Sequence, residues 1–293
     1  MTLIEADGAK LYTEAYGEGP AIIFVHEFAD NLESWSMQVS ALSRRYKCIT
    51  FNARGYPPSD VPEDPELYSQ KIAAEDINSV LEGYSLKSAH IIGCSMGGFA
   101  ALHFAILYPE KTSSIALISC GYGAPKDQQE AYAKDAEMLA EKYVELGSEE
   151  MAELYANGAF RQQFKTKDFK GWEAFKGRLA SHSKQGAALT MLGVQRKRPS
   201  LYDLEEDILK VNAPALIIVG DEDEWCIEPS IYLKRTLSMS GLCVMPRTGH
   251  TVNLEEPTLT NLMLSEFLAM AESGNWSAKK DYLGKSALLS GLK

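Results

Sequence analysis

Short, predominantly apolar runs, separated by stretches with helical spacing, constrain this chain more than any other feature. Ala21–Val25 reads AIIFV, and Cys48–Phe51, Ala89–Gly93, Ser114–Ser119, Ala215–Val219 and Leu242–Met245 are comparably apolar. A strand with no polar face must be covered on both sides, which is the situation inside a parallel sheet flanked by helices. The intervening stretches supply those helices. Trp35, Val39 and Leu42 fall on one helical face, as do Ala73, Ile77, Val80 and Leu81, and a helix is expected from about Met96 to Leu107, stopped by Tyr108-Pro109. Further helices are expected after Pro229 and from about Pro257 to Ala271. The fold class is therefore α/β, with a mostly parallel central sheet.

The alternation stops between residues 121 and 206. That segment shows only helical patterns: Gln128–Leu146, Glu149–Asn157 with Ser148 as its expected N-cap, and Phe164–Leu179. The natural division is a core of residues 1–120 and 207–272, interrupted by a helical lid at 121–206. A tail follows at 273–293, for which packing as a last helix, oligomer contact and mobility all stay open.

A net charge of -11 argues against a nucleic-acid partner or an anionic membrane surface. No apolar run approaches the ~20 residues of a membrane span, and no basic-then-apolar leader opens the chain. The five cysteines, Cys48, Cys94, Cys120, Cys226 and Cys243, lack metal-type spacing. Their odd number and irregular spacing suit buried thiols in a reducing, cytoplasmic setting. No metal, nucleotide or flavin motif is present, so neither metal nor cofactor is expected. A homo-oligomer is left open.

Gly93-Cys94-Ser95-Met96-Gly97-Gly98 lies where an expected strand turns into an expected helix. In so tight a turn the neighbours of the serine must be small, and its hydroxyl is lifted above the sheet edge with the helix N-terminus beneath it. Ser95 is thus a candidate nucleophile. A base must then come from five histidines. His90 lies in a strand, His103 in the helix after Ser95 and His182 in the lid. His250 sits on a loop after a late strand, with Gly249 to make the bend, and is the candidate base.

Five motifs in order, Val25-His26 with Trp35 beyond it, Arg54-Gly55, the serine elbow, Gly220 with its acid cluster, and Gly249-His250 followed by Glu256-Pro257, resemble the α/β-hydrolase superfamily. The lid-bearing serine esterase and lactonase branch is the more similar part of it. The resemblance runs from about Ala21 to Leu268, broken by the lid. It implies an α/β-hydrolase fold and a Ser95–Asp223–His250 triad, with Asp223 chosen among Asp221–Glu224 because the acid falls three residues after the strand-ending glycine. Asp221 is the fallback. It also implies an oxyanion hole made by the backbone N–H groups of Met96 and Phe28.

The chain departs from the family where Glu27 replaces a usual glycine after His26. Glu27 either forms an ion pair with Arg54 or borders the pocket. Asn52, in place of a common aspartate, is expected to alter a structural hydrogen bond rather than chemistry. Trp225 and the lid aromatics Tyr155, Phe160 and Trp172 are candidate pocket residues, although packing accounts for each lid residue equally well.

A serine nucleophile selects acyl chemistry, and the resemblance implies aspartate at this position in epoxide- and halide-processing relatives. The expectation is hydrolysis of a carboxylic ester of a small-molecule acyl substrate. The alternatives are an enol-lactonase, a carbon–carbon hydrolase of aromatic degradation or a cofactor-free perhydrolase. From another class, a small-molecule receptor on the same fold is the rival.

Overall fold

The apolar runs assemble into one eight-stranded sheet in a computed structural model that describes residues 1–278. Its strands are β1 (Thr2–Ala6), β2 (Ala9–Tyr16), β3 (Ala21–Val25), β4 (Lys47–Phe51), β5 (Ala89–Cys94), β6 (Thr112–Ile118), β7 (Ala215–Gly220) and β8 (Ser240–Met245). They lie in the order β1-β2-β4-β3-β5-β6-β7-β8, parallel from β4 to β8, with β2 antiparallel to both β1 and β4. β3, β5 and β7 are buried at every residue. β1 and β2 escape an apolar-run criterion because they form the sheet's antiparallel edge. In β2 buried and more exposed residues alternate through most of the strand, as a half-solvated strand requires.

Apolar clusters cover both sheet faces. One joins Ile23, Ile91, Leu117 and Ile217 to the helices Gln70–Gly83 and Met96–Leu107. The other joins Ile22, Phe24, Ile92 and Ile218 to Trp35 and the helix Pro257–Glu272. A third cluster packs Phe28, Tyr56 and Met96, which follow the carboxyl ends of sheet strands, against Tyr143, Trp172 and Phe175. Those last three belong to the segment between β6 and β7, where the described residues form helices and no strand.

Several helix boundaries differ from the expectation for local reasons. Phe164–Leu179 divides at Asp168, whose carboxylate accepts the Gly171 N–H (2.9 Å) and starts a new helix, Phe169–Ala180. Gly147, at φ 82°, precedes the helix Ser148–Ala156, so Ser148 is its first residue rather than its cap. The expected helix after Pro229 begins earlier, at Glu224, and contains Pro229. At the chain's end, Trp276 packs edge-on against Phe267 and donates its indole N–H to the Met239 carbonyl (2.8 Å). The rest of the expected tail, residues 279–293, lies outside the described residues. No described helix is long and apolar enough to cross a membrane.

Histidines also tie the sheet to the helical insertion. The Nε2 of His26 accepts the Ala53 N–H (3.0 Å), so its proton sits on Nδ1 and is donated to the Glu27 carbonyl (2.6 Å). Tyr56 packs edge-on between His26 and His182. Burial holds the rings neutral: ionisation falls from the ordinary 6.5 to about 4 for His26 and for His103, and to about 3 for His182. A depressed folded-state value contributes stability that is complete above about 6.5 and is lost as pH falls toward the folded values. Tm should therefore drop between about pH 6.5 and 4. His182→Phe, which keeps the ring packing, should lessen that drop, and thermal melts across the range check it.

Candidate active site

The elbow is built by backbone contact. A Cβ at Gly93 would come within 2.1 Å of the Gly97 carbonyl oxygen, and one at Gly97 within 2.2 Å of the Val25 carbonyl oxygen. With no side chain at either position, the helix Met96–Leu107 seats directly on the ends of β3 and β5. Ser95 takes up the bend at φ 52°, ψ −113°, a conformation costly for any residue but glycine.

The other two residues of the implied triad arrive from separate loops. Ser95 Oγ lies 2.9 Å from His250 Nε2, and His250 Nδ1 lies 2.9 Å from Asp223 Oδ2. Asp223 is completely buried, so its interaction with the ring is little screened. Asp221 instead accepts the Thr248 N–H (3.1 Å) and braces the loop that leads to His250. Glu255 secures the same loop from the far side, accepting the N–H groups of Gly249 (2.8 Å) and Thr251 (3.2 Å). The N–H groups of Phe28 and Met96 have no acceptor among the described residues.

The profile of the family described as alpha/beta hydrolase fold matches residues 20–257. The chain belongs to that family. Among curated proteins, this alpha/beta hydrolase is 29% identical over 276 residues (92% of this chain, 98% of the other) to a putative 2-succinyl-6-hydroxy-2,4-cyclohexadiene-1-carboxylate synthase of Bacillus subtilis. It is 24% identical over 267 residues (89% and 91%) to a 2-hydroxy-6-oxo-6-phenylhexa-2,4-dienoate hydrolase of Burkholderia cepacia. The solved enol-lactonase of Burkholderia xenovorans LB400 superposes with a TM-score of 0.80 at 19% identity, covering 92% of this chain and all of that one.

A cavity of about 310 Å3 opens beside Ser95 and His250, between the sheet and the insertion. Phe28, Tyr155 and Phe160 line it. Trp225, Trp172 and Glu27 do not. Trp225 stands behind Phe160, ring centroids 4.6 Å apart. Trp172 stacks on Phe169 and donates its indole N–H to the Ala156 carbonyl, holding insertion helices together. Asp223, Cys226 and His250 offer three clustered ligand-type atoms. However, burial and Asp223 push the Cys226 thiol well up, making it a poor thiolate donor, and His250 Nδ1 already faces Asp223.

Glu27 neither pairs with Arg54 nor lines the cavity. Arg54 is held by Asp76 (2.6 and 2.8 Å) and donates to the carbonyls of Leu67 and Asp7. Asn52 bridges backbone, accepting the Leu32 N–H and donating to the Pro57 carbonyl. Glu27 accepts instead from Arg161 of the insertion, at 2.5 Å with both side chains buried. Three residues on, Asp30 takes two hydrogen bonds from Arg178, at 2.6 and 2.8 Å. The loop bearing the Phe28 N–H is thus tied to the insertion on both sides of that group. Removing one partner of a buried pair strands the other charge, at a cost of about 3–5 kcal/mol. Glu27→Gln and Arg161→Met should each lower Tm by about 5–15 °C. Glu27→Met/Arg161→Met should lose less than either alone, a non-additivity that thermal melts of the three variants read directly.

Proposed function

We propose that the protein hydrolyses a carboxylic ester through an acyl-enzyme on Ser95, with the helical insertion acting as the lid that shapes the substrate site. The observation that carries this reading is the continuous hydrogen-bonded line Ser95–His250–Asp223 at 2.9 Å per link, ending at a serine held in a strained elbow. His250 Nε2 removes the Ser95 proton as Oγ attacks the carbonyl carbon. The oxygen of the tetrahedral intermediate accepts the N–H groups of Phe28 and Met96. His250, now protonated on both nitrogens, donates Nδ1–H to Asp223 and passes the other proton to the departing alcohol. Water, deprotonated by the same ring, then releases the acid and restores Ser95.

A second reading, hydrolysis of a carbon–carbon bond, is favoured by the dienoate hydrolase relative. Its named substrate carries a ketone and a carboxylate but no ester. The same nucleophile, base and oxyanion donors serve a ketone carbonyl.

The purified protein is expected to turn over p-nitrophenyl esters of short to medium acids. Ser95→Ala and His250→Ala should each reduce kcat by about 10⁴-fold or more, and Asp223→Asn by about 10³–10⁴-fold. Turnover that survives Ser95→Ala would overturn the proposal. Hydrolysis of a 2-hydroxy-6-oxodienoate with none of any ester would select the second reading.

A further inference from the structure

Arg54, Arg161 and Arg198 are the buried arginines among the described residues. Two of them carry a carboxylate at bonding distance, Asp76 for Arg54 and Glu27 for Arg161. The half-buried Arg178 likewise has Asp30. Arg198 differs. Its guanidinium lies 4.0 Å from the Phe99 ring centroid and 4.6 Å from that of Tyr132, and it donates to two neutral acceptors, the Gln195 side-chain carbonyl (2.6 Å) and the backbone carbonyl of Tyr122. Among the described residues no carboxylate lies within ion-pair distance of it.

Arg198 also lines the cavity that opens on Ser95 and His250. The other charged residues lining that cavity do not neutralise it. Asp135 stands beyond ion-pair distance, and Lys142 is a second cation, paired with Glu145 outside the cavity. A guanidinium withdrawn from water with only neutral dipoles and aromatic faces around it is electrostatically incomplete. An anion entering the cavity would complete it. Guanidinium is also well matched to a carboxylate, which it can bind through two parallel N–H groups.

We propose that Arg198, oriented by Gln195, Tyr132 and Phe99, is a carboxylate-binding subsite, and that the substrate is an acyl compound carrying a second, free carboxylate. This rests on the reading of Ser95 as the nucleophile and adds the substrate's charge to it. Binding of the free carboxylate at Arg198 would fix which carbonyl of a dicarboxylic monoester reaches Ser95.

Mono-p-nitrophenyl esters of succinate, glutarate and adipate, each paired with its neutral methyl-terminated isostere, test this directly. The wild-type protein is expected to favour at least one anionic ester over its isostere in kcat/KM. Arg198→Met should cut that preference by about 30-fold or more, and Arg198→Lys should retain part of it. Glutarate or adipate should inhibit competitively where the corresponding diamide does not. Faster turnover of the neutral isosteres by the wild type would overturn the proposal, as would equal losses on both members of each pair in Arg198→Met, the mark of a purely structural arginine. If no ester of either kind is turned over, the ester-hydrolysis reading fails separately. Calorimetric titration with glutarate and adipate then decides the subsite: binding lost in Arg198→Met supports it, and absence of wild-type binding overturns it.

Discussion

Everything in the candidate site depends on the backbone-to-backbone approach beneath Ser95. Because Gly93 and Gly97 have no side chains, the Gly97 carbonyl of the helix after β5 sits against Gly93, and Gly97 against the Val25 carbonyl, at separations no Cβ would tolerate. That seating forces the Ser95 backbone into a strained bend, and the bend aims Oγ at His250. The same seating brings the end of β3 against the start of that helix, and Phe28 and Met96 pack in one apolar cluster. One packing constraint therefore positions the Ser95 hydroxyl together with the end of β3. The strain at Ser95 is sustained by the fully buried strands and apolar clusters on either side of the sheet.

Buried charge fixes the remaining parts. Loops on their own are the least constrained elements of such a fold, and here carboxylates hold them. Glu255 secures the His250 loop, while Glu27 and Asp30 bind the Phe28 loop to Arg161 and Arg178 of the insertion. The insertion is thereby attached to the sheet by desolvated ion pairs, which specify a single arrangement more than they add stability. Arg198 belongs to the same economy of buried charge but lacks its carboxylate, which is why it reads as a place prepared for a ligand.

The sheet's parallel strands and the serine elbow were legible because each is encoded locally, by an apolar run and a glycine–serine spacing. Ser95, His250 and Asp223, the last picked out only by the family resemblance, stand in line at hydrogen-bonding distance in the fold. The half-solvated edge strands β1 and β2 were not legible, since they carry no apolar run. Asp168 and Gly147 ended helices that periodicity alone would have continued or begun elsewhere. Glu27 was recognisable as a departure, yet its partner was not, because Arg161 lies 134 residues away and nothing near either residue signals the pairing. Arg198 carried no local signal either. Its meaning comes from what surrounds it and from the cavity it faces, both of which exist only after folding. Trp172 and Trp225, prominent as letters, are occupied with packing against Phe169 and Phe160.

An activated Ser95 Oγ reacts with a fluorophosphonate probe, and intact-mass and peptide mass spectrometry locate the adduct. One covalent adduct per chain is expected, on the peptide containing Ser95. It should form fast in the wild type, be strongly slowed in His250→Ala and be absent in Ser95→Ala. A folded wild-type protein that forms no adduct, or forms it equally well without His250, would contradict that activation.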